Sequence, residues 1–188
     1  MTLLIAGIVL WSLVHLFPAL ARPARDDLVA SMGRNGYRGA FSLLILGSLV
    51  LIVIGWRSVP EAYLYVLPPW SRSAAFALVA IAFLLLGAAH YPTRIKRYLR
   101  HPMLTGIIAW SAGHLLANGT TRALVLFGGL GLWAIVEILL INRREGHYEK
   151  PAAPAAAAEL RGVIISAIIF IVVLYLHPWF AGVSPLPR

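Results

Sequence analysis

Long stretches without a charged side chain alternate along this chain with short ones that hold nearly all the charge. Residues 1–21, 39–56, 73–93, 101–121 and 162–187 contain no Asp, Glu, Lys or Arg, and 123–142 contains only Glu137. Each is 18 residues or longer. A helix rising about 1.5 Å per residue crosses a hydrocarbon core of about 30 Å in about 20 residues. The pattern therefore predicts an all-α polytopic membrane bundle of six transmembrane helices. Five of them, about 2–21, 39–56, 73–92, 102–119 and 123–142, fall in a membrane domain over 1–145. A cytoplasmic Pro/Ala linker follows over 146–161, low in complexity at 151–158. Residues 162–188 hold the sixth span and an outer tail.

The basic residues orient the bundle. The first, third and fifth connections hold Arg22, Arg25, Arg34 and Arg38, then Arg94, Lys96, Arg97 and Arg100, then Arg143, Arg144, Lys150 and Arg161, twelve in all. The other connections and the C-terminus hold four, Arg57, Arg72, Arg122 and Arg188. Cytoplasmic loops are enriched in Lys and Arg, so both termini are expected outside the cytoplasm and the chain in the inner, cytoplasmic membrane. Ala19-Leu20-Ala21 has the small-residue pattern of a signal-peptidase site. The apolar run before it has no basic leader, however, and its positive charges follow it, so it is read as the first helix.

Composition agrees. Of 188 residues 60% are apolar and 12% charged, with a mean hydropathy of +0.82; a soluble domain is about 25% charged. The net charge of +9 belongs to a solvated face beside anionic lipid headgroups, and no nucleic-acid partner is expected. With no cysteine, disulfides, thiolate metal sites, iron–sulfur clusters, a cysteine nucleophile and covalent haem attachment are all excluded.

Chemistry then rests on polar groups within the spans. His147 falls in a loop, and His90, His101 and His177 fall at span ends, as caps or interfacial residues. His15 and His114 each lie about 12 residues into a span, at depths differing by roughly 6 Å. Their settings match: Trp11-Ser-Leu-Val-His15-Leu and Trp110-Ser-Ala-Gly-His114-Leu put a Trp one helical turn before each His. Two imidazoles on facing helices can hold both axial positions of a b-type haem, with Trp11 and Trp110 as walls. The plain alternative is that each His bonds a backbone carbonyl or a Ser in the core. Arg22, Arg25, Arg97 and Arg100, with Tyr91 nearby, are candidates for haem propionates, and Glu137 is expected to pair with Arg143 or Arg144.

Arg100-His101-Pro102-Met-Leu-Thr-Gly106 resembles a stretch in membrane isoprenylcysteine and phospholipid methyltransferases, where it contributes to a cofactor pocket. That resemblance implies S-adenosylmethionine chemistry at Arg100 and His101, with Glu137, Arg144, Glu145 and Tyr148 as counterparts further on. A wider pattern resembles the NnrU family. It comprises His15, Gly33-Arg-Asn-Gly-Tyr-Arg38, Arg100-His101-Pro102 through His114-Leu-Leu-Ala-Asn118-Gly119, and Ile141-Asn-Arg-Arg144, over about residues 3–145.

The NnrU family is similar to the plant and cyanobacterial zeta-carotene isomerase, a membrane protein with a b-type haem on two axial His. The resemblance implies haem b with His15 and His114 as metal ligands, Asn118 at the cofactor and a candidate catalytic role for His101. It also implies a context of nitrite and nitric oxide reduction. Release of one axial imidazole on reduction would open a site for a polyene or a small gas. The readings are thus a redox-gated isomerase of a lipid-soluble polyene, a bis-His electron carrier or assembly partner of a respiratory nitrogen-oxide reductase, and a methyltransferase.

Overall fold

The computed structural model describes residues 1–185, which are helical throughout apart from short connections. The elements are α1 (Thr2–Leu20), α2 (Arg22–Ser58), α3 (Ser71–Ala88), α4 (Ile95–Tyr98), α5 (Pro102–Ala117), α6 (Thr121–Ala123), a π-helical turn (Leu124–Gly128), α7 (Gly129–Glu145) and α8 (Ala156–Ala181). Five helices are long and apolar enough to cross a membrane: α1, α2, α3, the run Thr121–Glu145 and α8. The expected fourth span is α5, whose 16 residues rise about 24 Å, short of a full hydrocarbon core.

Local chemistry sets the boundaries. Pro102 occupies the first turn of α5, where a missing N–H costs nothing, and holds His101 before it in a non-helical conformation. The expected basic loop after α1 is helical instead: α2 begins at Arg22 and breaks only at Gly33, whose φ of 71° suits glycine. The expected linker is shorter than 146–161, because α8 already begins at Ala156. Gly182, at φ 77°, ends α8 in a left-handed cap. The end of the outer tail, with Arg188, lies outside the described residues.

The long helices pack in the order α2, α1, α7, α5, α3, α8. Small residues bring their backbones together. Gly55 of α2 lies against the backbone of Leu4, and Gly7 of α1 against Ile52 and Ser48. Gly113 and Gly106 of α5 meet Ala75 and Ala82 of α3, and Gly87 of α3 meets Ser166 of α8. Close approach through small residues is how helices gain contact where lipid removes the hydrophobic drive between them. Large apolar side chains such as Leu43 and Leu132, 70% and 63% exposed, face outward. Because α1 and α7 run against α2, α5 meets both neighbours antiparallel and α8 runs against α3, all twelve cations of the odd connections gather at one end, called here the basic end.

A Cβ on Gly55 would collide with the Leu4 backbone, whereas one on Gly47 meets nothing within 4 Å. Gly55→Ala should therefore lower stability by about 1–3 kcal/mol, as overpacking does, and Gly47→Ala should leave it within about 0.5 kcal/mol. Denaturant unfolding in detergent micelles, followed by circular dichroism, measures both. Equal midpoints would show that α1 and α2 are not in backbone contact.

Candidate functional site

The repeated Trp-Ser-x-x-His stretches build two similar aromatic clusters. On α1, His15 lies 4.3 Å from Trp11 and 4.9 Å from Trp133 of α7 between ring centres, with Phe41 of α2 at 5.7 Å. On α5, His114 lies 4.6 Å from Trp110 and 4.5 Å from Phe127, the second ring nearly parallel to its own. Phe127 is presented by the π-helical turn, whose extra residue resets the side-chain register just before α7.

Both imidazoles are held in the same way. His15 Nδ1 donates to the Trp11 carbonyl and His114 Nδ1 to the Trp110 carbonyl, each at 2.9 Å. A carbonyl only accepts, so the proton sits on Nδ1 and the neutral ring keeps a lone pair on Nε2. A metal-ligating His is commonly fixed by such a bond through its other nitrogen. The core-histidine reading is thus also met, since each ring has the backbone partner a buried imidazole needs.

Trp11, Trp110 and Trp133 line one cavity of about 260 Å³ with Phe83 and Leu86 of α3, Ile107 of α5 and Leu130 of α7. The cavity is an apolar, partly open groove to which α1, α3, α5 and α7 all contribute side chains. Trp11 Nε1 and the Ser111 hydroxyl are buried without a hydrogen-bond partner among the described residues.

Two glycine contacts fix the depth of each histidine: Gly129 of α7 meets Ile8 of α1, and Gly131 meets Ser111 of α5. Counted from them, Trp11 and Trp110 stand at the same level. The helices carrying them run in opposite directions, so His15 and His114 lie about 6 Å to either side and about 12 Å apart along the axis at Cα. That is twice the separation expected from counting residues from the span ends.

The remaining candidates stand elsewhere. Arg100 donates to Glu145 Oε2 at 2.9 Å and to the Gly146 carbonyl at 2.7 Å, and lies over the Tyr148 ring. His101 Nε2 meets Asn142 Oδ1 at 2.8 Å. The Arg-His-Pro stretch thereby ties the start of α5 to the end of α7, and both of its polar side chains are engaged within the chain. Arg22 is exposed at the start of α2, and Arg25 bonds Asp26. The Tyr91 ring packs against Gly162, its hydroxyl buried without a partner. All of these lie at the basic end, whereas His114 is near the opposite end of α5. Asn118 lies at that opposite end, where its Oδ1 accepts from Thr120 Oγ1 at 2.8 Å. Glu137 makes no ion pair among the described residues; Arg144 bonds Glu145 instead.

Sequence reasoning passed over Trp133, Phe127 and His177. The Trp133 ring, 6% exposed, joins the His15 cluster, and the spacing of Trp133 from Glu137 on one helix face was a signal for it. His177 of α8 lies 6.5 Å from His114 between ring centres, and its Nδ1 donates to the Val183 carbonyl at 2.7 Å. Among the described residues no three His, Asp or Glu side chains gather as a metal-ion site.

No curated protein and no solved structure matches the chain. Residues 3–185, which run from the first turn of α1 past the left-handed cap of α8 and so take in both histidine clusters and the Arg-His-Pro tie, match the family model described as NnrU protein, and the chain belongs to the NnrU family.

Proposed function

We propose that this NnrU-family membrane protein is a b-type haem protein of the inner membrane, with six crossings and both termini outside the cytoplasm. The orientation is supported by the twelve cations gathered at one end of the bundle. A short α5 serves as a crossing because neighbouring helices flank it on both sides and the cations that precede it reach the interface.

One observation carries the haem reading. A histidine within the membrane, His114, has its Nδ1 proton committed to a carbonyl and its ring seated among Trp110 and Phe127, leaving Nε2 as a donor to iron in an apolar setting. His15 is equipped in the same way on the other side of the cavity level. The residues fit the group as donors and as aromatic walls. Bound through imidazoles, haem supplies one-electron redox chemistry.

The apolar groove lined by Trp11, Trp110, Trp133, Phe83 and Leu86 supports a lipid-soluble reactant admitted from the bilayer. That accords with an electron carrier or assembly partner of a respiratory nitrogen-oxide reductase and with a redox-gated isomerase acting on a polyene. The methyltransferase reading is not favoured, because Arg100 and His101 are engaged by Glu145 and Asn142.

Protein expressed with haem supply and purified in detergent should show a Soret band that sharpens on reduction with dithionite. His114→Ala should abolish it, and a colourless wild type with full helical content would sink the reading. His101→Ala should keep the spectrum and lower stability by about 0.5–1.5 kcal/mol, the net worth of one hydrogen bond to the exposed Asn142. Loss of haem from His101→Ala at unchanged stability would instead put His101 at the cofactor.

A further inference from the structure

We infer that Glu137 of α7, with the indoles of Trp11, Trp110 and Trp133, forms a binding site for a lipophilic organic cation, a hydrophobic molecule with an ammonium-type head. The inference rests on the reading of the groove as the place of a lipid-soluble reactant and gives that reactant a charge; it does not depend on haem. Glu137 is the one charged residue within the six apolar runs of the chain. A carboxyl placed there is costly in lipid and marks a functional site whose partner has to be found.

Glu137 faces the interior of the bundle. At 3.6 residues per turn it lies about 140–160° around α7 from Leu132, Ile135 and Leu139, which are exposed on the outer face. Leu130, Trp133 and Glu137, three and four residues apart, share one stripe of the helix, and the first two line the groove. The carboxyl therefore stands one turn beyond the groove, toward the basic end. Its Oε2 is buried without a hydrogen-bond partner among the described residues, while the residue as a whole is only half-buried.

No cation of the chain balances it within the span. The elements packed against α7 are α1, α5 and the π-helical turn, and residues 1–21, 101–121 and 123–128 hold no Lys or Arg. The titratable group that α1 brings to this level is His15, in contact with Trp133. On α7 itself the groups that bear on Glu137 are the Trp133 indole, one turn back, and Arg144, about 10 Å along the axis. That guanidinium is held by Glu145 at 2.7 Å. An unbalanced carboxyl thus adjoins a groove of about 260 Å³ lined by three indoles. Indole rings and a carboxylate attract the same sign of charge, and more strongly away from water. Because the groove is partly open, a charged head can enter it while an apolar tail stays in the bilayer.

Binding of benzyltrimethylammonium and of neopentylbenzene, its uncharged isostere, to the full-length protein in detergent tests the site, read by saturation-transfer nuclear magnetic resonance. Wild type should bind the cation about tenfold or more tightly than the isostere. Glu137→Gln, which keeps the shape and removes the charge, should abolish that preference, while Asp27→Asn on the exposed arm of α2 should keep it. In wild type the cation, and not the isostere, should also shield Glu137 from labelling by dicyclohexylcarbodiimide, located by mass spectrometry. This second measurement decides the matter where the Gln variant fails to fold. Equal or reversed affinities in wild type, a preference that survives Glu137→Gln, or labelling unchanged by the cation overturns the inference and leaves the groove to a neutral reactant. Failure of both probes to bind overturns the groove reading as well.

Discussion

The packing of α7 against α1 on one side and α5 on the other sets where every candidate ligand stands. At both contacts a glycine of α7 meets a side chain, Gly129 against Ile8 and Gly131 against Ser111, so backbone approaches side chain without a Cβ between them. In lipid, where apolar surface gains little by leaving one apolar medium for another, such contacts determine register more than hydrophobic patterning does. The two Trp-Ser-x-x-His stretches start from this common level and run in opposite directions along it. The same local motif consequently yields two histidines whose Cα atoms stand at different levels along the bundle.

Within each stretch the helix itself prepares the imidazole. A carbonyl four residues earlier receives the Nδ1 proton, which fixes the tautomer and the ring orientation together and leaves Nε2 as the reactive nitrogen. Trp at the same spacing stacks beside the ring because residues four apart share a helix face. His177 bonds its Nδ1 by a different route, to the Val183 carbonyl where the chain reverses at Gly182. Burial away from water is what gives that commitment weight, since an unpaired donor in hydrocarbon costs several kcal/mol.

The membrane character, the basic end, the Trp-His clusters and the family were legible in the sequence because each depends on local composition or on i, i+4 spacing. Depth relative to other helices was not. Counting from charged ends assumed that α5 fills the membrane, whereas it stops at Ala117 and its register is set by Gly131. The π-helical turn that brings Phe127 to His114 has no compositional mark in Leu-Val-Leu-Phe-Gly. His177 read as an interfacial residue ahead of a proline, since its contact with His114 joins helices far apart in sequence and depends on the return of the chain at Gly182. The helical arm before Gly33 was hidden because its charges and the glycines that follow it, Gly33 and Gly36, resemble a loop.

The Arg-His-Pro stretch shows why a motif shared between membrane families is a weak guide to chemistry. Pro102 starts a helix at the interface, His101 before it is held non-helical, and the side chains so presented are available to whatever lies alongside. Here that neighbour is the end of α7, which offers Asn142, Glu145 and the Gly146 carbonyl. Tyr148, beyond α7, completes the tie by covering Arg100 and donating to the Lys96 carbonyl at 2.8 Å. In a chain where that segment instead turned away, the same arginine and histidine would be left facing a cavity and could hold a nucleotide. What the motif specifies is a charged helix start; the partner supplied by the rest of the fold decides whether it binds a ligand or, as here, joins α5 to α7 and so keeps His114 at its level in the bundle.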